Sequence, residues 1–337
     1  MMLDEKMLAQ LCLLPGVSGD EGAVRDFLIK ELEGHCDELT VDALGNLIAF
    51  KKGAWQGGRL MLSAHMDEVG FVVTSVEEDG SVRFDTVGGI STEILPGKLV
   101  RHAQGAVGVL MTKPVHLLSP ADREKPVEKT ELRIDFGTNA AEFLQPGDTL
   151  CFDAPFEKQE EHRILSKALD DRAGCLLLLE MLKEPLSYDV YAVFTVLEEV
   201  GGRGALTAAN RIRPDYFIAV ETTTAADLPG AEGAQQVCAL GRGAVVPFMD
   251  RGTIYDKELY RLAFRLAEEN GVRLQTKTMI AGGNDAGTVH RSGTGVKSLA
   301  LALPCRYLHT AGSIIDTADY DSAAAMLRLL CAAVPGL

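Results

Sequence analysis

The chain contains no Cys-x-x-Cys pair, no Gly-x-Ser-x-Gly elbow, no P-loop and no Gly-x-Gly-x-x-Gly fingerprint. Each absence excludes something. Without the elbow, Ser18, Ser63 and Ser292 have no setting as serine nucleophiles, and without a phosphate-cradling loop nucleotide chemistry has no support. The seven cysteines (Cys12, Cys36, Cys151, Cys175, Cys238, Cys305, Cys331) are odd in number, scattered, and mostly set in apolar runs. They read as reduced core residues of a cytoplasmic protein rather than a disulfide framework. No stretch approaches the roughly 20 apolar residues that span a bilayer. The start, Met-Met-Leu-Asp-Glu-Lys, has an early acid and no long apolar run, so no secretory leader is expected. Basic residues are also scarce. Against 48 Asp and Glu stand 33 Lys and Arg, a formal charge of −15, which argues against nucleic acid or an anionic membrane as partner.

What is present is a core-forming chain of 337 residues, 47% hydrophobic, with room for one large or two ordinary domains. Ser18-Gly-Asp-Glu21 offers a cap for a helix running to about Glu33. Residues 59–64 form a short apolar strand that delivers His65. From about Gly70 the texture changes to short strand-like runs broken by glycine and proline (71–76, 82–87, 98–101, 106–111, 131–136, 149–152), the pattern of a β-rich domain or barrel. From Ala168 an α/β rhythm resumes: a helix after Asp170, strand 190–197, helix 204–211, strand 215–221, helix 255–270 stopped by Gly271, strand 272–279, strand 297–303 and a last helix 320–333. The expected fold is α/β, a mostly parallel central sheet covered by helices, with an inserted β-rich or barrel domain. Residues 1–68 plus 163–337 would form the catalytic domain, and 69–162 the insert.

Glu198 and Glu199 stand side by side after the strand-like run 191–197 and before Gly201-Gly202. Adjacent carboxylates at the mouth of a buried strand repel each other and resist desolvation, and a cation beside them removes that cost. Other acids and histidines fall at comparable places. His65 and Asp67 follow an apolar strand, Asp170 and Asp171 precede an apolar helix, Glu221 ends Tyr216-Phe-Ile-Ala-Val220, and His309 follows the apolar run that starts at Leu299. In open α/β sheets ligands bind at the carboxyl ends of the strands, so these side chains can converge there. His and carboxylate donors without thiolate suit zinc, cobalt or manganese. Asp67 can hold the His65 imidazole in one tautomer, and Asp170 can bridge two cations. Taken singly each residue has a plainer reading: Asp170 as a helix N-cap, His65 as a structural histidine, Glu198-Glu199 as a solvated turn. His290 reads as a neighbour of the site rather than a ligand.

Six stretches, in order, resemble the M42 family of dinuclear-metal aminopeptidases, which includes glutamyl and tetrahedral aminopeptidases. They are Ala64-His-Met-Asp-Glu-Val-Gly-Phe71, Lys167-Ala-Leu-Asp-Asp-Arg-Ala-Gly174, Glu198-Glu-Val-Gly-Gly-Arg-Gly-Ala205, Glu221-Thr-Thr-Thr-Ala-Ala-Asp-Leu-Pro229, Gly282-Gly-Asn-Asp-Ala286 and Arg306-Tyr-Leu-His309. The resemblance implies that His65 and Glu221 bind one metal, Glu199 and His309 the other, with Asp170 bridging. It implies Glu198 as general base, Asp67 orienting His65, and two divalent ions, zinc or cobalt first and manganese next. It further implies short peptides as substrates and a homo-oligomer, dimer to dodecamer, with the insert at the dimer contact or as a lid. Departures such as Thr310-Ala311 for the usual Ser-Pro bear on substrate preference. Other readings of the same residues are a related dinuclear amidohydrolase (carboxypeptidase or N-acyl amino acid deacylase), an endoglucanase, or a non-catalytic assembly protein.

Overall fold

The computed structural model describes residues 3–121, 125–160 and 162–337. Its centre is an eight-stranded sheet in the order Glu38–Val41, Leu47–Lys51, Tyr188–Thr195, Trp55–His65, Tyr216–Thr224, Lys297–Cys305, Ala244–Val246, Leu274–Thr276. The four middle strands run parallel. One edge is an antiparallel hairpin and the other joins through an antiparallel contact, so the sheet is mixed, with a parallel heart. The reason is in the sequence. The middle strands are near-continuous apolar runs, as strands covered on both faces must be, whereas the edge strand Glu38–Val41 is largely exposed.

The helix Leu169–Leu182 lies on this sheet against the strands Trp55–His65 and Tyr216–Thr224. It is buried around nearly its whole circumference because the helices Glu5–Leu13 and Thr317–Ala333 cover its other sides. The helix Arg203–Ile212 follows the turn that carries Glu198 and Glu199. The helix Lys257–Asn270 starts at Asp256, whose carboxylate accepts from the amides of Glu258 and Leu259, and stops at Gly271 with φ of 66°.

Between the two runs of the α/β layer sits a closed barrel of six antiparallel strands, Gly70–Val76, Val82–Val87, Arg133–Asp135, Val107–Met111, Leu99–His102 and Thr149–Phe152, the last pairing back onto the first. Closure leaves no unpaired edge. The interior is filled by alternate residues, among them Phe71, Val73, Val82, Phe84, Val100, Leu110, Ile134 and Leu150. This cluster is separate from the core of the α/β layer. The barrel strands match the expected runs closely.

Two differences matter for the site. The expected cap at Ser18–Glu21 is not spent on the following helix. That helix, Gly22–Leu32, has Glu21 at its N-cap position with no side-chain cap bond, and the Ser18 and Glu21 side chains point elsewhere. Second, the backbone at Asp170 and Asp171 is not helical (φ −84°, ψ 106° and φ −122°, ψ 44°) and the peptide between them is cis. Helical geometry begins after Asp171, whose Oδ1 accepts the Gly174 amide at 3.0 Å. Asp171 therefore caps the helix and Asp170 stays clear of it.

A buried ionic clasp fixes the segments that bear the candidate ligands. Arg172, fully buried, donates to the carbonyls of Met66 (2.8 Å), Leu11 (2.5 Å) and Leu14 (3.2 Å) and to Glu68 (3.3 Å). Lys167 bonds both oxygens of Glu68 at 2.7 and 2.8 Å. The clasp joins residues 66–68 to residues 167–172, so the two ligand-bearing loops are held in one register. Arg172→Met would take the side-chain donor from the Met66 and Leu11 carbonyls and leave Leu14 with only Lys167, at 3.3 Å. We expect a loss of about 3 kcal/mol, read as a lower denaturation midpoint at unchanged slope.

Candidate metal centre

Four adjacent parallel strands end at one cleft. His65 is the last residue of Trp55–His65. Glu198 and Glu199 follow Tyr188–Thr195. Glu221 lies inside Tyr216–Thr224, which runs three residues further than expected. His309 stands on the turn after Lys297–Cys305. Asp170 enters from the head of the helix on the same side.

The tautomers are set by backbone carbonyls. His65 Nδ1 lies 2.9 Å from the Asp67 carbonyl oxygen, and His309 Nδ1 lies 3.0 Å from that of Gly89. A carbonyl only accepts, so each Nδ1 carries a proton and Nε2 is the nitrogen turned to the cleft. Each Nε2 faces carboxylates, not donors. His65 Nε2 is 3.4 Å from Asp170 Oδ1 and 3.8 Å from Glu221 Oε2, and His309 Nε2 is 3.4 Å from Asp170 Oδ2 and 3.3 Å from Glu199 Oε2. Ligand atoms held about 2.0–2.1 Å from a shared tetrahedral cation stand about 3.3–3.4 Å apart. The spacing thus suits two cations flanking Asp170, one oxygen of which serves each.

The charge balance points the same way. Asp67, Asp170, Asp171, Glu198, Glu199, Glu221 and Asp285 crowd this region, and among the described residues no lysine or arginine bonds any of them. Asp170 Oδ1, Asp171 Oδ2, Glu221 Oε1 and Asp285 Oδ1 are buried without a hydrogen-bond partner, a costly state unless a cation supplies one. Burial pushes the Glu198 carboxyl well above the usual range, and the charges of Asp285, Glu199 and Asp67 add to it while His65 opposes. Burial and the Asp170 charge lift Glu199 to about 7, against the pull of His309 and His65. Burial works against a charged His309, yet its bond to Asp170 and the charge of Glu199 carry it up to about 9. The residues present fit a pair of divalent cations.

Residues 45–326 match the family model described as M42 glutamyl aminopeptidase. The chain belongs to the M42 aminopeptidase family. As an M42 protein it is a peptidase, a hydrolase of the peptide bond. It is similar to the lysyl aminopeptidase of Pyrococcus furiosus, 31% identical over 98% of this chain and 97% of that one. It is similar in structure to the TET aminopeptidase of a marine sediment archaeon of the Thaumarchaeota, with a TM-score of 0.94 at 31% identity, covering 98% of this chain and 96% of that chain. It is also similar to the Pyrococcus horikoshii TET1 peptidase, described as able to assemble into a tetrahedron or a large octahedral shell, with a TM-score of 0.86 at 32% identity over 97% and 98% of the two chains.

Around the candidate ligands of this M42 peptidase the structure shows contacts that the sequence did not disclose. Asp67 is the fullest case. Its carbonyl holds His65, while its carboxylate lies 3.5 Å from the ring and mainly binds elsewhere. Oδ1 accepts the Glu198 amide (3.1 Å), and Oδ2 accepts the Glu199 amide (3.1 Å) and the Ser18 hydroxyl (2.6 Å). Glu21 accepts from the amides of Gly19 (2.8 Å) and Leu197 (3.2 Å). Leu197 has φ of 59°, a strained value for a branched residue, and these bonds hold it. Asp171, which the sequence already placed among the site's acids, lies with His65 and Glu221 in one compact ligand group. Asp285 is buried, bonded by the Thr195 hydroxyl at 2.8 Å. His290 instead sits 2.6 Å from its own helix's Ala286 carbonyl. The barrel contributes as well. A side chain at Gly88, where φ is +81°, would stand 2.7 Å from Val69 and 3.3 Å from Glu199 Cβ, so only glycine lets this loop pack against Glu199.

Proposed function

We propose that the chain is a metal-dependent aminopeptidase that removes N-terminal residues from short peptides, with Glu198 as general base. The observation that carries this is the shared Asp170 carboxylate, each of whose oxygens faces the Nε2 of a different imidazole at 3.4 Å. In this reading His65, Glu221 and Asp170 hold one divalent ion, and Asp170, Glu199 and His309 hold the other. Zinc or cobalt suits the donors best, with manganese possible. Bound there, the pair would supply Lewis acidity toward the scissile carbonyl and lower the pKa of an attacking water.

The protein's own residues do the rest. Glu198 takes a proton from the attacking water and returns it to the departing amine. Asp67 fixes the amides of Glu198 and Glu199 and, through its carbonyl, the tautomer of His65, so base and ligand are positioned by one residue. Residues 1–68 plus 163–337 form the catalytic unit and residues 69–162 the insert that frames the cleft and serves assembly. By analogy with the shell-forming peptidases, the working form is a homo-oligomer. No helix of the described residues is long and apolar enough to cross a membrane, and with the reduced cysteines this supports a cytoplasmic setting.

The test is a panel of aminoacyl-anilides and their N-acetylated counterparts. Free-amine substrates should be cleaved and acetylated ones spared. A chelator should abolish turnover, and zinc, cobalt or manganese should restore it. Cleavage of the acetylated set would favour the deacylase reading, and chelator-resistant turnover would exclude the metal mechanism.

A further inference from the structure

His65 and His309 are held in different ways. His65 is 1% exposed and ends a central strand, so packing immobilises it. His309 is 35% exposed and stands on a turn. Tyr307 and His309 there have φ of 60° and 59°, left-handed values that side chains with a Cβ adopt only under compulsion. Something other than packing must maintain that turn. Its base is closed by paired backbone bonds between Arg306 and Ile314, at 2.9 and 3.1 Å.

From that base the Arg306 guanidinium reaches across to Asp227, with Nε to Oδ1 at 2.8 Å, a terminal nitrogen to Oδ2 at 2.8 Å, and the same nitrogen to the Asp227 carbonyl at 3.2 Å. Asp227 is itself fixed by the Leu240 amide at 3.1 Å. It lies six residues beyond Glu221, just past the strand that carries that ligand. The chain there is tied to the neighbouring strand by the Ala225 amide on the Cys305 carbonyl at 2.8 Å. A planar two-point pair of this kind fixes orientation as well as distance, which a lysine ammonium does not.

We infer that the Asp227–Arg306 pair is a positioning device that holds the turn presenting His309, and so tunes the second cation's affinity relative to the first. This rests on the two-cation reading of the site. Neither residue is a ligand, and neither reaches the reacting atoms.

The experiment measures bound metal in the purified full chain at fixed free zinc, together with the absorption spectrum of the cobalt-loaded protein. It compares wild type with Arg306→Met, Arg306→Lys and the near-isosteric Asp227→Asn, which keeps the fold testable if Arg306→Met is unstable. The expected result is wild-type affinity for the first cation and a 10–100-fold weaker second one, with Arg306→Lys restoring only part and the spectral change confined to one site. Wild-type affinity for both cations in Asp227→Asn and Arg306→Met would overturn the inference, as would equal weakening of both. A wild-type chain that takes up fewer than two cations is a separate result, and it would sink the reading of the site itself.

Discussion

Glu198→Gln is expected to keep both cations and to lose about 10²–10⁴ of kcat, the usual contribution of a positioned general base. The geometry supports this separation. Glu198 is not among the groups closest to either imidazole; those are Asp170, Glu199 and Glu221. Its backbone is pinned by Asp67, and its carbonyl accepts the amides of Gly201 and Gly202 at 2.8 and 2.9 Å. The side chain therefore sits beside the ligands on a rigid turn, and glutamine of the same shape keeps that turn intact. Glutamine also removes a buried charge that Asp285, Glu199 and Asp67 all repel, so the fold should not suffer. Metal content by elemental analysis and kcat on a good anilide decide the matter. Metal lost in step with activity would make Glu198 a ligand and leave the base unassigned.

The parts of this site that were legible in the sequence are those where chemistry and periodicity coincide. An apolar strand followed at once by His65, or by Glu198-Glu199, announces both its structure and its use, because the charged residue interrupts a pattern otherwise fit for the interior. The barrel was legible for the same reason, through alternation and turn residues. What escaped was whatever depends on backbone atoms or on contacts between distant segments. Gly89 acts through a carbonyl, which any residue possesses. Asp227 and Arg306 are 79 residues apart, and neither looks unusual where it stands. The division of labour between Asp170 and Asp171 follows from a local departure from helical geometry that two adjacent aspartates do not reveal. The strand Ala244–Val246 was missed because three residues between Gly243 and Pro247 give too short a pattern. The run at 272–279 shrank to Leu274–Thr276 because an edge strand pairs on one side only.

Asp170→Ala should be the most damaging single change at the site, and its effect should differ in kind from that of Glu198→Gln. Among the described residues, Asp170 is the one carboxylate within 3.4 Å of both imidazoles. Glu221 comes within 3.8 Å of His65, and Glu199 within 3.3 Å of His309. Loss of Glu221 or Glu199 should weaken one cation, whereas loss of Asp170 removes a donor from each and the charge between them. Two cations brought together without an anion between them repel strongly in a site shielded from water. Occupancy of the pair should therefore fall steeply, and with it several kcal/mol of transition-state stabilisation, about 10³-fold or more in kcat/KM. The imidazoles report on this independently. Burial resists their protonation, and the Asp170 bonds are the chief opposing force. In the metal-free variant both rings should accordingly titrate at lower pH than in the metal-free wild type, a shift readable by NMR of the ring protons. A variant that still holds two cations with near-normal turnover would show that the carboxylate spans the two imidazoles without bridging any metal.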